Sequence, residues 1–202
     1  LNGVELYEKL PIIHKENKIT YLVIGRLEKD KGILDIIDVF EKLNLQFKNH
    51  IKLIILGEGS LKEKIYNRIK HFKNIKMYDS IPHKKSKNIY NKVDVVISLN
   101  HIGNISNVIL EAISFNKAII TLKEDKSNFY DIESNDFLKS NVMYINRFNV
   151  QQDLYERISY NQKNISSINK YKVLVEKNLR PLLPSWDSRI KDEFDIIKSI
   201  LK

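Results

Sequence analysis

Short runs of β-branched and other apolar residues alternate along the chain with longer stretches whose apolar positions recur every three or four residues. Residues 19–25 (ITYLVIG), 51–57 (IKLIILG), 75–78 (IKMY), 93–98 (VDVVIS), 117–122 (KAIITL) and 142–145 (VMYI) read as strands. Most are continuously apolar, as strands buried on both faces are. The predicted helices lie between them. Ile33, Ile36, Ile37, Phe40, Leu43 and Phe47 fall at helical spacing within residues 32–47, and residues 61–72 repeat the pattern. A short helix over 86–92, one over 106–115 and a weaker one near 128–140 follow, and the chain beyond 145 reads as helical to its end. This alternation predicts an α/β protein: a doubly wound, Rossmann-like parallel sheet with right-handed crossovers and a C-terminal helical extension. Ligands of such folds bind beyond the carboxyl ends of the strands. Every loop that follows a strand is therefore a candidate site.

Three segments follow from the same pattern. Residues 1–18, polar and containing Pro11, read as an interdomain linker, 19–178 as the Rossmann-like domain, and 179–202 as a C-terminal helix. Pro181 and Pro184 precede that helix and Ser185 can cap it. Trp186, Ile190, Phe194, Ile197 and Leu201 form an apolar stripe along it. The stripe has two places to dock, this domain's own surface or a neighbouring domain.

Composition narrows the chemistry. The chain has no cysteine, which excludes disulfide frameworks, thiol nucleophiles, thiolate zinc sites and iron–sulfur clusters. Its 5 His show no metal-ligand spacing, so no metal is expected. No apolar run reaches membrane-span length, and residues 1–9, with Glu5 and Glu8, carry no secretory pattern. A cytoplasmic protein is expected, in at most peripheral contact with the inner face of the membrane. The net charge of +9 invites a polyanion reading. However, 28 Lys, 21 Asn and 31 Ile stand against only 6 Arg, a bias that AT-rich codons impose whatever the function. Nucleic-acid readers add Arg and clustered aromatics, whereas these Lys are spread out apart from His83, Lys84, Lys85 and Lys87. The charge reads as a solvated basic surface, with anionic lipid headgroups its one membrane partner and no nucleic acid.

Three loops carry candidate chemistry. After the first strand, Gly25-Arg26-Leu27-Glu28-Lys29-Asp30-Lys31-Gly32 sets two cations beside a helix N-terminus. That is either a phosphate trap, with Arg able to fork two oxygens, or a surface turn whose cations pair with Glu28 or Asp30. It is neither a Walker A loop nor G-x-G-x-x-G. After the second strand, Gly57-Glu58-Gly59-Ser60 is a tight turn whose glycines either admit a ligand or neighbouring backbone, or simply make the turn. The third segment is Asn104-Ile105-Ser106-Asn107-Val108-Ile109-Leu110-Glu111-Ala112. It opens a helix whose first N–H groups, near Asn107 and Val108, can face a phosphate. One turn on, Glu111 either receives the two vicinal hydroxyls of a ribose or pairs with a surface Lys.

Taken together these segments resemble the C-terminal, donor-binding domain of group 1 retaining glycosyltransferases with the GT-B fold. That family's pattern runs G-R-L-x-x-x-K-G, G-x-G, D-V and roughly E-G-x-x-N-V-x-x-E-A. The counterparts here are Gly25-Arg26-Leu27…Lys31-Gly32, Gly57-Glu58-Gly59, Asp94-Val95 and Ser106-Asn107-Val108-Ile109-Leu110-Glu111-Ala112, in the same order and at kept spacing. Asn2-Gly3-Val4-Glu5 resembles the N-G-V-D that opens the domain, and Trp186 with its helix resembles the closing segment.

The resemblance implies one half of a GT-B fold and a set of donor contacts. Arg26 and Lys31 would hold the diphosphate of a UDP- or GDP-linked sugar and serve catalysis by neutralising the leaving group. Gly25, Gly57 and Gly59 would line the site, and Ser80 and Ile81 would lie beside the nucleobase. Asp79 replaces a frequent Gly there. Ser106, Asn107 and Val108 would face phosphate or sugar through the helix start, and Glu111 would bind the ribose. No metal or cofactor is implied. Gly103 occupies the place of the first Glu of the family's E-x7-E pair. Asn100, His101 and Asn104 either reach sugar hydroxyls instead or make the turn. The implied function is sugar transfer to a polysaccharide or glycolipid acceptor, by an enzyme of hexosyltransferase type. The acceptor-binding N-terminal half is expected outside these residues, as an upstream domain or a separate chain. A nucleotide-sugar-binding module without catalysis and a half of a sugar-nucleotide 2-epimerase are the alternatives.

Overall fold

The fold, taken from a computed structural model, is described for residues 3–5, 18–82, 85–101, 105–123 and 133–200. The elements run β1 (Ile19–Ile24), α1 (Ile33–Phe47), β2 (Ile51–Leu56), α2 (Lys62–Ile69), β3 (Ile75–Tyr78), α3 (Ser86–Tyr90) and β4 (Val95–Ser98). They continue with α4 (Asn107–Ser114), β5 (Ala118–Leu122), α5 (Glu133–Leu138), β6 (Met143–Ile145), α6 (Val150–Lys163), α7 (Ile165–Leu174) and α8 (Trp186–Ile200). All six predicted strands form. They build one sheet in the order β3-β2-β1-β4-β5-β6, with every pair parallel.

Helix ends shift from the predicted ones for local reasons. α2 closes at Ile69 rather than 72, because the Phe72 N–H turns back onto the Ile69 carbonyl at 2.9 Å while its ring still packs on the core. α3 closes at Tyr90 rather than 92. Of the helix expected near 128–140, α5 covers Glu133–Leu138, and residues 124–132 lie outside the described residues. The helical tail breaks at Asn164, between α6 and α7, and again before α8.

Both faces of the sheet are covered. Ile33, Ile36, Phe40 and Leu43 of α1, Ile65 and Ile69 of α2, and Leu154 and Ile158 of α6 pack on one face. Tyr90 of α3, Ile109, Leu110 and Ile113 of α4, and Val175, Leu179 and Leu183 after α7 cover the other. Helices on both sides explain why the strands inside the sheet show no polar alternation, whereas edge strand β3 alternates buried Ile75 with exposed Lys76 and Tyr78. The chain passes from β1 outward through β2 to β3, then returns past β1 to β4. The loops after β1 and β4 consequently diverge, and the crevice between them is where this sheet can hold a ligand.

The opposite, amino edge is held by a largely buried ion pair. Asp94 accepts from the Thr20 N–H at 3.0 Å and from Lys172 Nζ of α7 at 2.8 Å, and the Asp94 N–H donates to the Thr20 carbonyl at 2.8 Å. The Asp of the D-V dipeptide is thus structural, tying β4, β1 and α7 together far from the crevice. Nearby, burial pushes the Lys117 ammonium down to about 8, and the Lys172 charge adds to the shift.

The first described residues meet the segment that leads into α8. Val4 is buried, bridges to Ser185, and donates its N–H to the Pro184 carbonyl at 3.1 Å. A Cβ on Gly3 would stand 2.8 Å from the Trp186 ring, so only glycine fits beneath it. The rest of the expected linker, like Leu201 of the stripe, lies outside the described residues. α8 buries none of its residues: Trp186, Ile190, Phe194 and Ile197 are each about half exposed (51%, 49%, 59% and 52%).

Candidate functional site

The loops after β1 and β2 are zipped together by main-chain bonds. The Gly25 N–H donates to the Leu56 carbonyl at 3.0 Å, the Leu27 N–H to Glu58 at 2.8 Å, and the Leu61 N–H to Leu27 at 3.0 Å. A Cβ on Gly57 would fall 1.8 Å from the Gly25 carbonyl oxygen, and one on Gly59 2.5 Å from that of Leu27. Of the alternatives for these glycines, the approach of neighbouring backbone is the one the packing shows. Glu28 is committed to the same join: its carboxylate accepts the Ser60 N–H at 2.8 Å and the Ser60 hydroxyl. Those two bonds hold its carboxyl below the usual range, with the Arg26 charge a lesser cause.

The two cations of the first loop differ. Arg26 is exposed and has no hydrogen bond or ion pair with the described residues. Lys31 is partly buried, donating from Nζ to Asn100 Oδ1 at 2.8 Å and pairing with Asp30 at 3.0 Å. The surface-turn reading therefore holds for Lys31 with Asp30 but not for Arg26. Asp30 is held below the usual carboxyl range, first by the hydrogen bond from Lys31 and also by the Arg26 charge. Gly32 takes φ 63°, a left-handed value, and a Cβ there would press on Leu99 at 2.8 Å. This close approach seats the β1–α1 loop against the end of β4.

The β4–α4 crossing supplies the other wall. Ser106 caps α4, its Oγ accepting from the Ile109 N–H at 3.4 Å and lying 3.2 Å from Ser98 Oγ. The Ser98 carbonyl in turn accepts from Thr121 at 3.0 Å. The N-terminal turn of α4, with Asn107 exposed and Val108 half-buried, faces the crevice. A Cβ on Gly25 would have Val108 Cγ2 as its nearest neighbour, at 4.0 Å. Glu111 is half-buried beside the buried Tyr90 hydroxyl, whose ionisation is pushed well up by burial first and by the Glu111 charge second. Tyr90 itself is fixed by stacking on Phe115 at 4.6 Å.

The expected site residues thus line one edge of the sheet. Ser80 and Ile81 follow β3, Gly57 and Gly59 follow β2, Gly25, Arg26 and Lys31 follow β1, and Ser106, Asn107, Val108 and Glu111 lie on the crossing after β4. Gly25 and Val108 come together directly, as do the Gly25 and Gly57 turns. Ser80 and Ile81 stand two strands from β1, about 10 Å across the sheet. Gly103 and Asn104 lie outside the described residues.

Several partners escape sequence reasoning. Arg147, after β6, donates from Nη1 to the His101 carbonyl at 2.9 Å. His101, partly buried, has its imidazole pulled below the usual value by burial and then by the Arg147 charge. Lys62 bridges Asp79 at 2.7 Å and Glu58 at 2.9 Å, beside an open cleft of about 580 Å³ lined by Ser60, Lys62, Glu63, Tyr66, Met77 and Asp79. The Lys62–Glu58 pair has a sequence signal, the i,i+4 spacing. The other contacts join separate loops and have none. Among the described residues no group of three or more acidic or His side chains is placed to hold a metal ion, and no helix is long and apolar enough to cross a membrane.

Comparison with known proteins gives this geometry a context. Residues 8–163 match the family model described as glycosyl transferases group 1. A search of curated proteins finds no relative of significant similarity. Among solved structures, S. aureus TarM in a complex that includes UDP superposes with a TM-score of 0.74 at 18% identity, over 96% of this chain and 38% of that one. HepE of Anabaena in complex with UDP-glucose gives 0.71 at 15% identity, over 91% of this chain and 49% of that one. The C-terminal domain of LpcC from Francisella tularensis gives 0.60 at 18% identity, over 81% and 83%. The chain spans under half the length of TarM and HepE but most of the isolated LpcC domain. The family model covers more than three quarters of the residues, the six-stranded parallel sheet is that of a GT-B half-domain, and the chain belongs to the group 1 glycosyl transferases.

Proposed function

We propose that the chain is the donor half of a retaining glycosyltransferase, taking a nucleoside-diphosphate sugar and passing its hexosyl group to a polysaccharide or glycolipid acceptor. The observation that carries this reading is the exposed Arg26 guanidinium, which makes no hydrogen bond or ion pair with the described residues and follows Gly25, the residue that approaches Val108 of the first turn of α4. A forked cation and helix N–H groups on one crevice suit a diphosphate. The complexes of TarM with UDP and of HepE with UDP-glucose support a uridine nucleotide as the first to test, with a guanosine nucleotide the alternative.

In this reading Arg26, Lys31 and the N–H groups of Asn107 and Val108 meet the negative charge that grows on the diphosphate as the bond from the anomeric carbon to the β-phosphate oxygen breaks. Of these, the oriented Lys31 ammonium and the α4 N–H groups need little reorganisation during the reaction, and this is electrostatic catalysis by the protein's own groups. Gly25, Gly57 and Gly59 keep the loops low enough to leave room, Ser106 caps α4 in place, Ser80 and Ile81 border the base, and Glu111 receives the ribose hydroxyls. The acceptor would enter from the same side as the leaving diphosphate, which gives retention, in a cleft closed by an N-terminal half. The half-exposed stripe of α8 offers that half a docking surface. The enzyme would work on the cytoplasmic side, its basic surface resting against anionic headgroups where the acceptor is a lipid.

Calorimetric titration of the chain with UDP, GDP and ADP tests the site. Binding of UDP or GDP is expected, and Arg26→Ala should weaken it about 10- to 100-fold, the loss of a charge-assisted contact. No binding at millimolar nucleotide, or full affinity in Arg26→Ala, would remove the assignment.

A further inference from the structure

The expected donor contacts all come from the loops after β3, β2, β1 and β4, yet the structure ties two of those loops to the far edge of the sheet. Arg147 Nη1 donates to the His101 carbonyl at 2.9 Å, across 46 residues of sequence. The His101 N–H donates to the Asp30 carbonyl at 2.8 Å, and Lys31 Nζ donates to Asn100 Oδ1 at 2.8 Å. The contacts run from the end of β6, through the turn after β4, into the loop after β1.

Arg147 is itself anchored. Its turn is closed by Asn146 Oδ1, which accepts the Phe148 N–H at 2.9 Å. Four residues on, Gln151 Nε2 donates to Asp35 and Asp38 of α1 at 2.9 Å each. The guanidinium therefore reaches the Asn100–His101 turn from a base fixed against the same helix that follows Lys31.

We propose that Arg147 is a positioning residue for the diphosphate site, holding the Asn100–His101 turn where Asn100 can orient the Lys31 ammonium. The inference rests on the reading of Lys31 as a phosphate-binding cation. Lysine carries a flexible four-carbon stem and a point charge, so it binds best when its rotamers are restricted beforehand. Asn100 supplies that restriction, and its own place depends on the adjoining His101, whose N–H and carbonyl are held by Asp30 and Arg147. The charged donor on the His101 carbonyl makes a stronger tie than a neutral one would. Arg147 acts through this tie and not by touching the nucleotide, so its contribution should vanish when the Lys31 ammonium is gone.

That last consequence is the test. Calorimetry with UDP and GDP is run on the parent chain, Arg147→Ala, Arg147→Lys, Lys31→Ala and the Arg147→Ala/Lys31→Ala double variant. Lys31→Ala should weaken binding about tenfold, as loss of a charged contact does. Arg147→Ala should weaken it about fivefold and add nothing on the Lys31→Ala background, the signature of coupled residues. Arg147→Lys, which keeps the charge and a donor, should recover most of the loss. Should Arg147→Ala fail to fold, Arg147→Gln carries the same cycle. Parent-like affinity in Arg147→Ala, a fully additive loss in the double variant, or no recovery by Arg147→Lys would each overturn the positioning role while leaving the site in place. A Lys31→Ala chain that binds like the parent, or a parent chain that binds neither nucleotide, would overturn the underlying reading and this inference with it.

Discussion

Replacing Asp94 by Ala should destabilise the fold heavily while leaving the crevice untouched. The Asp94 carboxylate is 19% exposed and its partner Lys172 7%, with 2.8 Å between the charged atoms. Truncation strands a buried ammonium, frees the Thr20 N–H from its 3.0 Å bond, and removes the negative charge that offsets the shift at Lys117. Breaking a buried pair from one side costs about 3–5 kcal/mol. With an unfolding entropy of about 2.1 cal/mol/K per residue, a 202-residue chain should lose roughly 2–3 °C of melting temperature per kcal/mol, hence about 10 °C in all. Circular-dichroism melts at pH 7 measure this directly. The Asp94→Ala/Lys172→Met double variant should recover much of the loss, since an apolar replacement of both partners is often neutral. Thr20 and Gly25 stand at opposite ends of β1, about 16 Å apart at strand rise, so UDP or GDP affinity should stay at the parent value wherever the variant is folded. A drop of under about 2 °C, or a double variant no better than Asp94→Ala, would refute the argument that this pair holds the amino edge.

Two further outcomes follow from the packing and the charges. Lys117, pushed down to about 8 from the usual 10.5, binds fewer protons folded than unfolded between those pH values. Its share of stability therefore rises with pH over that window and is a penalty below it. Lys117→Met should melt above the parent at pH 7 with the gap closing toward pH 10.5, and a gap that does not change with pH would contradict this. At the glycine join, Gly57→Ala should abolish soluble folded protein or lower its melt steeply, because the Cβ would lie 1.8 Å from a carbonyl oxygen. Gly25→Ala has 4.0 Å of room and should cost only its backbone strain, about 1–3 kcal/mol. Equal melts for the two variants would show that the close approach is not what requires glycine.

The strands were legible because most are nearly unbroken apolar runs, the mark of a parallel sheet covered on both sides, with edge strand β3 the exception. Helix ends were less so. Phe72 continues the spacing of Ile65 and Ile69, yet the chain has already left the helix, and its ring reaches the core from a turn. The crevice loops were visible through glycines and cations, but what those residues do was not. Gly57 and Gly59 serve the neighbouring loop's backbone, a contact between strands adjacent only in space. Lys31 with Asn100, Arg147 with His101 and Asp94 with Lys172 lie 69, 46 and 78 residues apart and leave no periodic trace. The apolar stripe of α8 follows from its spacing, and the described part of this chain leaves Trp186, Ile190, Phe194 and Ile197 half exposed.

The cations of the first loop show how much a spacing argument leaves open. In sequence Arg26 and Lys31 are equivalent, two positive charges flanking a turn. In the fold Lys31 already shares its charge with Asp30 and its direction with Asn100, whereas Arg26 spends its guanidinium on none of the described residues. An arriving diphosphate must compete with Asp30 for the ammonium, while at Arg26 it has no hydrogen bond or ion pair with the described residues to break. The forked geometry of Arg adds a second bond that a lysine cannot match. Arg26 should therefore carry the larger part of the affinity, and Lys31 should act as a smaller, oriented term whose size depends on the residues that hold it. Arg26→Ala losing no more than Lys31→Ala would show that the Asp30 pairing gives way freely on binding, and that pre-orientation, not exposure, governs how this loop grips its ligand.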